Sequence, residues 1–155
     1  MDIVEIRKVL EKCEFFRGLE AGHIGQVADL CRVETCRTGS HVFHQGDFGD
    51  NIYIIVEGSV YLERERDLGS RKGVAVIGVL GRGRVLGCWS TLLGEPHHLM
   101  SSACCRKETT LLTIKGSDLR DMMVRDAKLG FNLLERLCFL LRDRIAGAYG
   151  AMEKI

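Results

Sequence analysis

Residues 39–60 read GSHVFHQGDFGDNIYIIVEGSV, and they carry the strongest signal for the fold class. Short runs rich in β-branched residues, such as 52–56 and 59–62, alternate there with glycine-containing turns. Similar runs continue along the chain, so that the strand signals extend from about 32 to 115. Several short strands separated by turns are typical of a β-sandwich or barrel. We therefore predict a mainly β protein with flanking helices.

Helical patterns lie on both sides of the strands. Ile3, Ile6, Val9 and Leu10 recur at a helical period, and a second helix is predicted over 20–30. Past the strands, 117–126 and 128–154 are predicted to be helical. We interpret the chain as a single domain over 1–155, with N-terminal helices at 1–30, strands at 31–115 and C-terminal helices at 116–155.

Composition argues against several classes of protein. A net charge of +1 gives no electrostatic case for nucleic acid, and direct DNA binding is not expected. Apolar runs stay well short of the ~20 residues that span a bilayer, so no membrane association is expected. The N-terminus lacks the features of a signal peptide, which predicts a cytoplasmic protein. Seven cysteines, an odd number, predict free thiols that act as small buried apolar side chains.

The stretch at 39–60 resembles the pattern G-x-x-I-x-x-Q-G-D-x-G-x-x-Y-I-I-x-x-G-x-V of cyclic-nucleotide-binding domains. The segment Phe15–Leu19 resembles a segment of the same family, and Gly83 and Gly87 fall on family glycines. Such domains occur in catabolite activator proteins, protein kinase A regulatory subunits and gated ion channels. The resemblance implies a double-stranded β-helix, or jelly-roll, and a non-catalytic sensory function in signal transduction.

Residues 86–98, LGCWSTLLGEPHH, resemble the family's phosphate-binding cassette, roughly F-G-E-x-[SA]-L-L-x-G-x-P-R-x-A. Cys88 stands at the position of the Glu that holds the ribose hydroxyl. His97 stands at that of the Arg that pairs with the phosphate, or Leu99 does if the count runs back from the last strand. A thiol is a weak acceptor, and imidazole lacks the guanidinium fork. Losing two charge-assisted hydrogen bonds costs about 3–6 kcal/mol, or roughly 10²–10⁴ in affinity.

Poor binding of cAMP and cGMP is therefore expected, and three interpretations stay open. The cassette is a structural loop, a site for another small anion or apolar ligand, or a cyclic-nucleotide site with non-standard contacts. No cofactor is required in any of them. Backbone N–H groups at a helix start and nearby hydroxyls attract anions, which gives the candidate ligand-binding residues Gly87, Cys88, Trp89, Ser90, Thr91, His97, Leu99, Ser101 and Ser102.

Two polar features receive simple interpretations. The charged run 63–67, with Arg71 and Lys72, is predicted to be a solvated hairpin tip. His41 and His44 are faintly similar to the H-x-H metal motif of cupins, but their H-x-x-H spacing predicts rings on opposite faces of a strand. A cupin-like metalloenzyme is thus a remote alternative, and neither catalytic residues nor a metal site are expected.

The last helix carries apolar residues at spacings of three and four, a coiled-coil-like seam. We expect its early part, near Phe131 and Leu134, to pack on the strands. The later part predicts a homodimer, as the equivalent helix forms in the activator-protein branch, through Leu137, Leu141, Ile145, Ala148 and Met152. The alternative function is a ligand-free dimerisation or docking module that contacts a protein partner. We do not expect the helix-turn-helix domain that the transcriptional relatives carry.

Overall fold

Two four-stranded antiparallel sheets form the body of the protein, and helices pack at both ends of the strand region. The computed structural model describes residues 1–87, Leu92 and residues 97–154. In order, the elements are α1 (Ile3–Lys12), α2 (Ala21–Leu30), β1 (Arg32–Cys36), β2 (His41–Phe43), β3 (Asn51–Glu57), β4 (Val60–Asp67), β5 (Lys72–Leu80), β6 (Val85–Leu86), β7 (Ser102–Cys105), β8 (Thr109–Lys115), α3 (Gly116–Arg125) and α4 (Ala127–Met152). The predicted mainly β fold with flanking helices is confirmed.

The strands pair in the orders β1-β8-β3-β6 and β2-β7-β4-β5. The long β4–β5 hairpin runs from the Val60–Leu80 pair to the Asp67–Lys72 pair. Neighbours in both sheets are mostly distant in sequence, since β8 lies between β1 and β3 and β7 lies between β2 and β4. Within the described residues the two sheets stay separate and form a roll of two layers rather than a closed barrel.

Two apolar clusters hold these layers together. One lies between the sheets and contains Phe43, Ile55 and Leu111. The other lies between the β1-β8-β3-β6 sheet and the helices, and it contains Phe15 and Phe16, which are fully buried. Their rings meet edge to face with centroids 4.9 Å apart, an arrangement that aromatic pairs prefer. The segment before α2 therefore anchors the N-terminal helices to the roll.

Glycine turns connect the strands where the sequence predicts them. Gly58, between β3 and β4, has a φ of 121°. A Cβ there would lie 2.7 Å from the Cα of Thr109. Only glycine fits this turn, because any side chain would collide with the backbone of β8.

The carboxylate of Asp126 caps the start of α4 and also connects it to α2. Asp126 Oδ1 accepts a hydrogen bond from the Leu129 backbone N–H at 3.2 Å and thereby caps α4. Asp126 Oδ2 lies 2.8 Å from His23 Nε2 on α2. The hydrogen bond from the Leu129 N–H, followed by that from His23, lowers the pKa of Asp126. None of the helices in the described part of the chain combines the length and apolar character that crossing a bilayer requires.

The six described cysteines are all free. Cys13, Cys104 and Cys105 are buried, as expected for small apolar side chains, whereas Cys138 on α4 is exposed. Burial raises the pKa of Cys13 to about 11 and that of Cys31 to about 12. These two thiols are therefore protonated and unreactive near neutral pH.

Candidate functional site

A cavity of about 460 Å³ lies between the roll and the C-terminal half of α4, and we call it the roll cavity. Its volume falls in the range of about 300–1,000 Å³ that is usual for small-molecule sites. The side chains around it are mainly apolar, with two arginines and one serine; the lining residues are Phe43, Leu62, Arg64, Ile77, Val85, Leu86, Gly87, Leu99, Met100, Ser101, Leu140, Leu141, Arg144, Ile145 and Ala148.

Gly87 stands at the edge of the cavity, directly after β6. Its φ is 75°, and a Cβ at this position would lie 2.7 Å from the carbonyl oxygen of Asn51 on β3. Both the conformation and the close contact require glycine. Gly87 thus fixes the direction in which the chain leaves the sheet toward the predicted cassette.

Three of the predicted ligand-binding residues, Gly87, Leu99 and Ser101, line the roll cavity. Leu99 is buried, and its backbone is held at both ends: its N–H donates to Asp47 O at 2.7 Å, and its carbonyl accepts from Gly46 N at 2.8 Å. The predicted residues Cys88, Trp89, Ser90 and Thr91 lie outside the described residues.

The other two predicted residues lie away from the cavity lining. Ser102 is buried, and its Oγ accepts a hydrogen bond from the Gln45 N–H at 2.9 Å, which ties the turn after β2 to β7. His97 is half-buried, and its carbonyl accepts from Gly49 N at 3.1 Å. The structure therefore divides the predicted set between the roll cavity and the neighbouring turns.

Arg64 and Arg144 are cavity residues that sequence reasoning missed. Arg64 belongs to the charged run that predicted a solvated hairpin tip, and it is exposed as predicted, although it also lines the cavity. The prediction is wrong for Glu63, which is 8% exposed. Both residues lie on β4 before the hairpin turn, where Glu63 pairs with Ser102 on β7 and Arg64 pairs with Ala75 on β5. The Arg64 guanidinium donates to the Met100 carbonyl at 2.8 Å.

Arg144 holds α4 against the roll. Its Nη2 donates to Glu14 Oε1 at 2.8 Å and to the Val85 carbonyl at 2.9 Å. Glu14 is also paired with Arg84, whose Nε lies 2.8 Å from Oε2, and accepts from the Val85 N–H at 2.9 Å. One carboxylate before α2 thus connects α4 to the start of β6. The sequence offers one signal for Arg144: it follows Leu137 and Leu140 at helical spacing, which places it on the buried face of α4.

The helix side of the cavity changes the interpretation of the apolar seam. Leu141, Ile145 and Ala148 line the cavity, and Leu137, 5% exposed, packs in the protein's own core. The prediction that Leu137 is a dimer contact is therefore wrong, because its side chain is buried within the protein. Phe131 and Leu134, expected to pack on the strands, are 65% and 46% exposed. The early residues lie on the outer face because Leu129, Leu133 and Leu137 occupy the inner one.

The prediction that His41 and His44 point to opposite faces is also wrong. Their rings stack with centroids 4.3 Å apart and an interplanar angle of 23°. Strand β2 ends at Phe43, so the alternation of side chains along a strand does not extend to His44.

Comparison with known proteins places these features in a family context. The sequence model described as cyclic nucleotide-binding domain matches residues 33–126. No curated protein sequence is significantly similar to the chain. The structure is similar to the N-terminal domain of a transcriptional regulator from Streptomyces coelicolor A3(2), with 25% identity, a TM-score of 0.71 and coverage of 87% of this chain and 91% of that one.

Two further structures are similar. A cyclic nucleotide-binding domain from Methylobacillus flagellatus has a TM-score of 0.80 and 20% identity, covering 99% of this chain and 84% of that one. The Thermus thermophilus catabolite activator protein has a TM-score of 0.68 and 26% identity, and the match covers 84% of this chain and 59% of that protein.

Proposed function

The chain belongs to the cyclic nucleotide-binding domain family, and on that premise we propose a non-catalytic regulatory domain that binds a small ligand in the roll cavity without the usual recognition of cAMP or cGMP. The observation that carries this proposal is the cavity itself, about 460 Å³ between the roll and α4. A ligand there would touch both the roll and the helix at once. Its binding would therefore be linked to the position of α4.

The cavity walls favour a ligand that is largely apolar and carries an anionic group. Leu62, Leu86 and Leu99 offer apolar contacts on the roll side. Arg64 is exposed, and the only described hydrogen bond of its guanidinium goes to the neutral Met100 carbonyl, so its charge can serve an anion. Arg144 is already paired with Glu14 and is the weaker candidate.

Ordinary cAMP binding is disfavoured by the sequence of the cassette. Cys88 and His97 replace the Glu and Arg that the family uses, and the loss estimated from two charge-assisted hydrogen bonds is roughly 10²–10⁴ in affinity. We expect isothermal titration to give dissociation constants weaker than about 10 μM for both nucleotides. A tighter constant for either one would overturn this part of the proposal.

A second contact supports communication between the cassette and the C-terminal helices. The Arg120 guanidinium on α3 donates to the carbonyl of Leu92, whose side chain is buried in the core beside the helices. Movement of the cassette would shift α3 through this hydrogen bond, and α3 packs directly against α4. This is the route by which an occupied cavity would change what the helices contact.

The experiment that tests the cavity uses a matched pair of substitutions. Ala148→Leu fills the cavity, whereas Ala146→Leu places the same side chain on the exposed side of α4. A thermal-shift and Trp fluorescence screen against nucleotides and apolar anions should find ligands for the wild type. Those responses should survive Ala146→Leu and disappear in Ala148→Leu. A screen without any response, or responses equal in both variants, would favour the docking module instead.

We also propose that the domain forms a homodimer through the outer face of α4. Phe131, Leu134 and Met152 are 46–65% exposed, and together with the exposed Cys138 they follow a heptad pattern. In the predicted seam, this outer face takes the place of the buried Leu137, and Leu141, Ile145 and Ala148 lie at its inner edge because they line the cavity. Exposed apolar residues in such a row are typical of an interaction surface.

Light scattering with Phe131→Glu and Leu134→Glu tests the dimer. Both residues are exposed in the monomer, so the substitutions should leave the fold intact and halve the measured mass. Val124→Glu on α3, where Val124 is 72% exposed, is the control and should keep the dimer. Mild oxidation should also cross-link two chains through Cys138 and fail in Cys138→Ser. A monomeric wild type would overturn the proposal.

A further inference from the structure

Three potential metal ligands from three neighbouring strands meet on the β2-β7-β4-β5 sheet. His41 lies on β2, Cys104 on β7 and Glu63 on β4, and one ligand atom from each lies within 4.8 Å of the other two. His41 pairs directly with Cys104 in the sheet, and Glu63 lies on the other side of β7, paired with Ser102. The backbone ladder therefore fixes the spacing of the three side chains.

The cluster is on the face of the sheet away from the roll cavity. Leu62 and Arg64 line the cavity, so Glu63 between them points to the opposite face. Cys104 likewise alternates with Ala103 and Cys105, both of which belong to the core between the sheets. Whatever binds here is independent of the ligand proposed for the cavity.

Glu63 has the features of a prepared ligand. It is only 8% exposed, and Arg106 Nη2 donates to its Oε1 at 2.6 Å. Arg106 is itself held over the Tyr61 ring, 4.6 Å from its centroid. This contact orients the carboxylate and leaves Oε2 for a cation, as in metal sites whose carboxylate ligands are hydrogen-bonded from outside. A carboxylate accepts several hydrogen bonds, and one arginine uses part of that capacity.

We propose that His41, Glu63 and Cys104 bind a zinc ion. Imidazole nitrogen, carboxylate oxygen and thiolate sulfur are the three donor types that Zn²⁺ takes in proteins, at about 2.0–2.3 Å. Tetrahedral coordination places such ligand atoms about 3.3–3.8 Å apart, so each pair of ligand atoms, now within 4.8 Å, closes by roughly 1.5 Å at most. Binding releases the Cys104 thiol proton to solvent, and water completes the coordination. The ion joins the edge strand β2 to β7 and β4.

The test uses Co²⁺ as a spectroscopic probe and Zn²⁺ as its competitor, on the full chain after treatment with EDTA. One equivalent of Co²⁺ should give a thiolate-to-cobalt charge-transfer band, and Zn²⁺ should displace it. The band should be lost in Cys104→Ser and kept in Cys138→Ser, which removes the exposed thiol of α4. Absence of the band, or its persistence in Cys104→Ser, would overturn the proposal.

A second pair of variants separates ligation from folding. His41 is exposed, so His41→Asn should fold as the wild type does, and His44→Asn removes the neighbouring stacked ring. His41→Asn should weaken Zn²⁺ binding by at least the roughly 10–100-fold that loss of an outer-shell partner costs. His44→Asn should stay within a few-fold of the wild type. Equal affinities in the two variants would exclude His41 as a ligand.

Discussion

Replacing Arg144 with Met should release the C-terminal half of α4 from the roll. The wild-type guanidinium donates to Glu14 Oε1 at 2.8 Å and to the Val85 carbonyl at 2.9 Å. Methionine keeps the apolar stem of the side chain and removes both hydrogen bonds. Glu14 keeps its ion pair with Arg84 and its hydrogen bond from the Val85 N–H. The substitution therefore leaves no buried charge without a partner.

The expected loss follows from these two contacts. A hydrogen bond from a charged donor contributes about 1.5–3 kcal/mol to stability. The Arg144 side chain is 26% exposed, so solvent screens part of this value. We expect the free energy of unfolding to fall by about 2 kcal/mol, which corresponds to roughly 30-fold in an equilibrium constant. The backbone amides of 141–152 should lose hydrogen-exchange protection to a similar extent, because this part of α4 opens locally.

Arg142→Met is the matched control. The Arg142 side chain is 69% exposed and pairs with the adjacent Asp143 at 3.2 Å, a surface contact whose removal should cost less than about 0.5 kcal/mol. Denaturant unfolding and hydrogen exchange by mass spectrometry measure both quantities. If Arg144→Met and Arg142→Met gave the same midpoint and the same protection over 141–152, α4 would not be held by Arg144 and the reasoning would be wrong.

Three other outcomes are expected. Gly87→Ala should lower the free energy of unfolding by about 2–4 kcal/mol, because the new Cβ adds a steric clash to the cost of the left-handed backbone conformation. Gly39 has a similar φ but open space around it, so Gly39→Ala should lower the free energy of unfolding by only about 1–2 kcal/mol. Equal losses in denaturant unfolding would contradict the close contact at Gly87. A backbone N–H of α4 and a histidine of α2 lower the pKa of Asp126 below its ordinary 3.8, so its carboxylate stabilises the fold fully above about pH 4 and less as pH falls through the lowered value. The Tm difference between wild type and Asp126→Asn should accordingly shrink only in that acid range. Near neutral pH, iodoacetamide followed by peptide mass spectrometry should find Cys138 modified well before Cys13, whose pKa burial raises to about 11.

Much of the fold could be predicted because its signals are local. The alternation of β-branched runs and glycine turns in 39–60 corresponds to β2, β3 and the start of β4. Gly58 has the positive φ that such a turn demands. The predicted helices at both ends also match, to within one or two residues at most ends. The patterns that predict a strand or a helix depend on residues that are close in sequence, so they can be recognised without knowledge of the tertiary structure.

The candidate site was less predictable because it is made from distant segments. Leu99 and Gly87 were found through their place in the cassette pattern, but Arg64 and Arg144 come from a strand and a helix with no ligand-binding motif. The apolar spacing along α4 is compatible with more than one inner face. Leu133 and Leu137 pack in the core, which fixes the inner face of α4 and leaves Phe131 exposed.

The amino-acid pattern alone was enough to predict a roll of short strands with helices at each end. Which face of α4 closes the cavity, and the placing of His41, Glu63 and Cys104 on one patch of sheet, became known from the folded chain. The physical reason is that periodicity reports contacts a few residues apart. Strand order places residues together that the chain separates widely, and no local pattern records that pairing.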